Sequence, residues 1–156
     1  MLIIPILNFC QKIGQLIMNR SDQLDRSYLE MSQVWSRLSY CTRKKVGALI
    51  VKDGVIISDG FNGTPSKAKP NICEDENGNT LWWVLHGEAN AILKCAKFGH
   101  SCSGATLYQT LSPCKDCCKL ILQSGISRVV YIEDYKDLDG IEILKDSGIL
   151  VNRINI

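Results

Sequence analysis

Apolar residues Leu24, Tyr28, Leu29, Met31, Val34, Trp35 and Leu38 recur every three or four positions, the period of one helix face. With Ser21 placed as an N-cap, they predict an amphipathic helix from Asp22 to about Ser39. The period then changes. VGALIVK and VIISDGF are runs rich in β-branched residues on either side of Asp53-Gly54, and Asp-Gly between two such runs is the strongest short-range hairpin signal. The next stretch, NGTPSKAKPNICEDENGNT, is dense in Gly, Pro, Asn and charge. It reads as a long loop, of the length that carries function in a compact domain. LWWVLHGEANAILKCAKFG returns to helical spacing and stops at Gly99, which puts His86 and Glu88 in about the first turn of a second helix.

ATLYQT follows as a buried strand, PCKDCCKLILQSG as a helix opened by Pro113 and closed by Gly125, and RVVYIE as a strand. DLDGIEILKDSG and ILVNRI repeat helix and strand once more. Strand, helix, strand, helix, strand implies right-handed crossovers and largely parallel strands with helices on both faces. With the hairpin added, the expected fold class is α/β, a three-layer α/β/α sandwich on a mixed five-stranded sheet. A chain of 156 residues buries one core and hardly two, so residues 21–156 are assigned to a single domain. Residues 1–20 read as an N-terminal extension, disordered or packed on a partner surface. Their apolar run has no basic stretch before it and no small-residue cleavage site after it. Pro5, Asn8, Gln11 and Lys12 also break it short of the ~20 residues a membrane span needs.

Charge narrows the partners. Eighteen Lys and Arg against sixteen Asp and Glu leave a formal net charge of +2. Proteins that hold long nucleic acid by its phosphates carry a clear basic excess, so a small-molecule substrate is favoured over a duplex or a tRNA. No stable nucleic-acid binding and no membrane association are expected. The eight cysteines could suggest a secreted disulfide scaffold, but a core of this size needs no staples. In a reducing compartment closely spaced cysteines are more often metal ligands or catalytic groups, and the chain reads as cytoplasmic. Cys10, Cys41, Cys73, Cys95 and Cys102 are assigned to burial or exposed thiols.

Cys114 and Cys117 lie three apart on the opening turn of a helix, which places both thiolates on one side, and His86 opens another helix. Three ligands from two helix starts leave one tetrahedral position free, the pattern of a catalytic zinc rather than a closed structural one. Positive helix ends help to keep the sulfurs ionised. Cys118 points off that face and reads as core. Glu88, two residues beyond His86, is close enough to serve a water at the metal without ligating it. Each piece alone has an ordinary reading: a lone His is commonly structural, a C-x-x-C is as readily a redox pair, and a first-turn Glu is a helix-dipole partner. Together, His86-Gly87-Glu88 and Pro113-Cys114-Lys115-Asp116-Cys117 match H-x-E followed by P-C-x-x-C, the established signature of zinc deaminases, in which the glutamate is the acid and base.

From about Tyr28 to the C-terminus the chain resembles the deoxycytidylate (dCMP) deaminase branch of the cytidine deaminase-like superfamily. The likeness rests on SYCTRKKVGALIV, GFNGTP, HGEANAI, LYQTLSPCKDCCKLI and GISRVVY. GFNGTP discriminates most, because every branch shares the zinc motif. The resemblance implies hydrolysis of dCMP to dUMP and ammonia, supplying dUMP for dTMP synthesis, with Zn2+ as cofactor, Glu88 as catalyst and His86, Cys114 and Cys117 as ligands. It further implies Asn62 on the deoxyribose, Arg43 facing the 5′-phosphate and Tyr135 in contact with substrate. An amide both donates and accepts, and a guanidinium fork suits phosphate. From the residues alone, Asn62 before Gly63 is an ordinary turn, Arg43 belongs to a solvated basic run with Lys44 and Lys45, and Tyr135 is a surface aromatic. A homo-oligomer, a hexamer by family likeness, with dCTP and dTTP as effectors alongside Mg2+, is implied too. Two positions depart from the pattern: Gly87 stands where the family commonly has Ala, and Lys67 where it often has Gly. Three rival readings stay open: a deaminase of another small cytosine compound, an RNA-base editor, and a non-catalytic zinc-stabilised accessory of DNA uptake. Glu88 weighs against the last, since a structural zinc has no use for a proton shuttle.

Overall fold

The computed structural model describes residues 19–156. The expected extension lies outside the described residues except for its last two positions, and those belong to the first helix, α1 (Arg20–Ser36). Asn19 caps it in place of Ser21, its Oδ1 accepting the Asp22 N–H at 2.9 Å. Asn and Ser cap equally well, and the helix takes the earlier site and stops at Ser36 rather than Ser39. The side buried against the sheet is Asp25, Leu29 and Ser32, whereas Leu24, Met31, Val34 and Leu38 of the predicted apolar face are exposed. The helix forms as expected, but its buried face is not the predicted apolar stripe. Asp25 can sit inside because the Arg128 guanidinium donates to both its oxygens at 2.9 and 2.6 Å, and the Tyr108 hydroxyl donates at 2.6 Å. At Ser32 the chain runs so near the sheet that a Cβ on Gly47 would stand 2.0 Å from the Ser32 carbonyl oxygen.

Five strands form one sheet: β1 (Gly47–Lys52), β2 (Val55–Phe61), β3 (Thr106–Leu111), β4 (Arg128–Glu133) and β5 (Leu150–Arg153), in the spatial order β2-β1-β3-β4-β5. The β1–β2 hairpin turns on Asp53 and Gly54, both at positive φ (51° and 77°), as a primed turn requires. β1 runs antiparallel to β2 and β3, while β3, β4 and β5 are parallel, so the sheet is mixed as expected. Three further helices, α2 (Gly87–Phe98), α3 (Lys115–Ser124) and α4 (Asp139–Asp146), cover the face opposite α1. α2 and α3 end on Gly99 and Gly125 in the left-handed conformation.

β1 serves both layers. Ala48 and Ile50 pack with Ala91, Leu107, Ile121, Val129 and Leu144 under the three helices. Leu49 and Val51 pack with Leu29, Tyr108, Val130 and Ile132 under α1. Each fully buried Leu or Ile contributes ~1.5–3 kcal/mol of transfer free energy. Because β1 is antiparallel to both neighbours, β2 and β3 point the same way as β4, and all three C-terminal ends open on one side. That is the side on which α2 and α3 begin, the usual crevice of open α/β sheets.

The second helix starts at Gly87, with His86 as its N-cap and Glu88 in its first turn, as expected. Residues 81–85 ahead of it are irregular, and Leu85 pairs with Gly63 through backbone hydrogen bonds of 3.0 and 2.8 Å. One expectation is corrected. Cys41 and Cys73 are not separate thiols but are joined in a disulfide. The long loop folds back over the turn that precedes β1 and brings their Cα atoms to 5.0 Å, although 32 residues separate them in the chain. Among the described residues, no helix is long and apolar enough to cross a membrane.

Candidate active site and metal centre

His86 is the N-cap of α2 and Cys114 the N-cap of α3, both with extended backbone and neither spending its side chain on a cap hydrogen bond. Their side chains are therefore free to meet. Cys117, one turn into α3, completes a cluster in which the His86 Nδ1 lies 3.4 Å from each sulfur and all three donor atoms fall within 4.8 Å of one another. Zinc bonds of ~2.3 Å to sulfur and ~2.1 Å to nitrogen at tetrahedral angles set the donors ~3.6 Å apart, so the donor set fits zinc with little rearrangement. These three residues would hold the ion, and His86, Cys114 and Glu88 line one cleft.

The electrostatics of the cluster suit a cation. Cys114 is held down to about 4 by the Cys117 thiol and the His86 ring, against the opposing effect of burial. Cys117 is pushed up by the same hydrogen bond and by its burial. Hydrogen bonding to Cys114 raises His86. Glu88, only 4% exposed, is raised above the usual carboxylate range by desolvation, which opposes its ionised form. A carboxyl so placed holds a proton more readily than a solvated one, which suits a group that must act as both acid and base.

The cleft beside the cluster brings together residues the sequence placed far apart. Arg43, Asn62, His86, Glu88, Cys114 and Tyr135 all line it, and Cys117 lies just behind, 3% exposed. Arg43 lies seven residues past the end of α1, in the turn leading to β1. Asn62 is already engaged: its Oδ1 accepts the Val46 N–H and its Nδ2 donates to the Lys44 carbonyl, each at 2.8 Å. One amide N–H and one oxygen lone pair remain for a ligand. Tyr135 is fixed through its backbone, whose N–H donates to Ser112 Oγ at 2.7 Å, while the Ser112 N–H donates to the Glu133 carbonyl at 2.8 Å. Cys41, Glu74 and Thr80 also line the cleft. Sequence reasoning missed their part in it, because no local spacing ties the long loop to the turn at Arg43.

Gly60 explains how α2 reaches the cluster. A Cβ there would stand 2.2 Å from the Gly87 carbonyl oxygen and 2.7 Å from the Ala91 nitrogen, so the first turn of α2 lies directly on the β2 backbone. Gly87 is less demanding, since an added Cβ would meet the Val46 carbonyl oxygen at 3.2 Å.

Comparisons with known proteins agree with this geometry. Residues 22–133 match the family described as the cytidine and deoxycytidylate deaminase zinc-binding region. The chain is 38% identical to the deoxycytidylate deaminase of Enterobacteria phage T4, over 79% of this chain and 86% of that protein. It is also 38% identical to ComE operon protein 2 of Bacillus subtilis (strain 168), over 83% of this chain and 70% of that one. A crystal structure of dCMP deaminase from the cyanophage S-TIM5, in complex with dCMP and dUMP, superposes with a TM-score of 0.83 at 41% identity, covering 88% of this chain and 100% of that one. A family model spanning most of the chain, and relatives well above 30% identity over most of both lengths, place this chain in the zinc-dependent cytidine and deoxycytidylate deaminase family.

Proposed function

We propose that the protein hydrolyses dCMP to dUMP and ammonia, with His86, Cys114 and Cys117 as the zinc ligands and Glu88 as the proton carrier. The observation that carries the reading is one cleft lined by residues of the metal-binding cluster, by a buried acid of raised proton affinity, and by Arg43 and Asn62. Zinc bound to such an open donor set lowers the pKa of a water at its fourth position to ~7.

Glu88 takes the proton of the attacking water and passes it to ring nitrogen 3 as the oxygen bonds to carbon 4. It then carries the second proton to the amine as the carbon–nitrogen bond breaks. The water oxygen becomes the exocyclic oxygen of uracil and the amine leaves as ammonia. Asn62 offers its free N–H and lone pair to the sugar hydroxyl, Arg43 its fork to the 5′-phosphate, and Tyr135 closes the wall above Ser112. The relative from cyanophage S-TIM5 supports the substrate by its own complex with dCMP and dUMP. Cytoplasmic location, a homo-oligomeric state, and dCTP and dTTP as effectors with Mg2+ belong to the same reading, as does supply of dUMP for dTMP synthesis.

The test is ammonia release from dCMP, CMP, deoxycytidine, cytidine and cytosine side by side. dCMP is expected to be preferred, and equal use of deoxycytidine would remove the phosphate role of Arg43. Glu88→Gln is expected to keep one zinc per chain and lose at least ~10²-fold in kcat, the contribution of a positioned acid and base. Loss of zinc from that variant would instead make Glu88 a ligand.

A further inference from the structure

The wall of the cleft that bears Arg43 is built by a segment distant in sequence. Glu74 Oε1 accepts the backbone N–H groups of Thr42 at 3.0 Å and Arg43 at 3.2 Å. Next to it, the Cys41–Cys73 disulfide ties the same two segments covalently. Glu74 and Thr80 face each other across an antiparallel bridge, and Thr80 Oγ1 accepts the Arg43 Nη1 at 3.3 Å. Arg43 is thus gripped twice from one small hairpin, at its backbone by Glu74 and at its guanidinium by Thr80. All three residues line the cleft.

A guanidinium recognises phosphate by two parallel hydrogen bonds, which demands a fixed position and plane. Arg43 is solvent-exposed and carries no ion pair among the described residues, so its own surroundings on the turn do little to fix it. The Thr42-Arg43 backbone sits in no helix or strand. Two successive N–H groups directed at one carboxylate oxygen are therefore what sets the origin of the Arg43 side chain.

We propose that Glu74 is a positioning residue for the phosphate end of the substrate: it fixes the Thr42-Arg43 backbone, while Thr80 on the same hairpin aims the Arg43 guanidinium into the cleft. The inference rests on the phosphate reading of Arg43 given above. It assigns substrate selectivity to the long loop, which holds none of the metal-binding residues.

Steady-state kinetics of the full-length zinc enzyme with dCMP and with deoxycytidine provide the test. Glu74→Ala is expected to raise KM for dCMP ~10-fold, leave kcat within about twofold, and leave kcat/KM for deoxycytidine unchanged, the signature of lost binding without lost chemistry. Glu74→Gln keeps an oxygen acceptor for the two N–H groups and is expected to stay within about threefold of wild type. Thr80→Val, close in shape and exposed, is expected to raise KM for dCMP about threefold with deoxycytidine again unchanged, and decides the matter if Glu74→Ala does not fold. Equal losses on both substrates would make Glu74 a general support of the site and overturn the proposal. A lower KM for dCMP would overturn it too, since the carboxylate would then be competing with the phosphate. So would an unchanged KM in both Glu74→Ala and Thr80→Val. A wild-type enzyme indifferent between dCMP and deoxycytidine removes the phosphate reading itself, and that result is visible before any variant is made.

Discussion

Adding a single methyl group at Gly60, 26 residues before His86, should disable the enzyme without touching a ligand or the substrate. The Cβ of Gly60→Ala would stand 2.2 Å from the Gly87 carbonyl oxygen and 2.7 Å from the Ala91 nitrogen. Real Cβ contacts essentially never fall below 3.0 Å, so the first turn of α2 must retreat from β2 by at least 0.8 Å. Both obstacles are backbone atoms, and no side chain can swing away to spare the helix. His86 caps that turn and Glu88 lies within it, so both shift against Cys114 and Cys117, which α3 holds independently. A displacement of ~1 Å in a catalytic constellation costs on the order of 10²-fold in rate. The overpacking itself costs ~1–3 kcal/mol, or about 3–10 °C in Tm for a chain of this size. The assay is kcat/KM for dCMP with zinc content and a thermal melt on the same preparation. Gly63→Ala is the control, since a Cβ there meets nothing within 4 Å, and it is expected to behave as wild type. A Gly60→Ala enzyme with unaltered melting and kcat/KM would show that α2 does not take its position from β2.

Three other outcomes are expected. Asp25→Asn strips the charge from a pair whose side chains are 5% and 24% exposed and leaves the Arg128 guanidinium half-buried, at a cost of ~3 kcal/mol in urea unfolding. Burial raises the Asp25 carboxyl, but the hydrogen bonds from Arg128 and Tyr108 and the Arg128 charge outweigh it, leaving it below its ordinary value. The stability this confers is present above the ordinary carboxylate range and is lost as pH falls through the folded-state value. Wild-type unfolding midpoints should therefore drop, as pH falls below the ordinary carboxylate range, by more than those of Asp25→Asn. Reducing the Cys41–Cys73 disulfide with a phosphine reopens a 32-residue separation and should lower stability by about 3 kcal/mol, measured by the same melts, with zinc content unchanged. Cys114→Ser should release the metal, because the cluster loses the sulfur that most favours ionisation, and metal analysis after dialysis reads this directly.

The elements of the fold were legible because their signals are local. Period, caps and turn residues lie within a few positions of what they determine, and Asp53-Gly54, Gly99 and Gly125 each mark their boundary. The inner face of α1 was not legible. Its burial of Asp25 depends on Arg128, 103 residues away, and its burial of Ser32 on the close approach of Gly47. A carboxylate in a helical stripe reads as solvated until the partner that neutralises it is known.

The same distinction divides the site. His86, Glu88, Cys114 and Cys117 each occupy a helix start that their own neighbours specify, so the chemistry of the cluster is written in two short motifs. The part of the cleft lined by Arg43, Asn62 and Tyr135 is assembled from separate segments of the chain. Arg43 owes its place to Glu74 and Thr80, Tyr135 to Ser112, and Asn62 to the backbone of Lys44 and Val46, each across 16 to 37 residues. The long loop between β2 and α2 can therefore change in sequence without disturbing the geometry of the metal-binding cluster. Loss of the Glu74 carboxylate or the Thr80 hydroxyl, by contrast, releases Arg43. Such substitutions should alter which cytosine compound is used while leaving zinc binding intact, whereas substitutions under the helix starts, as at Gly60, should damage both together.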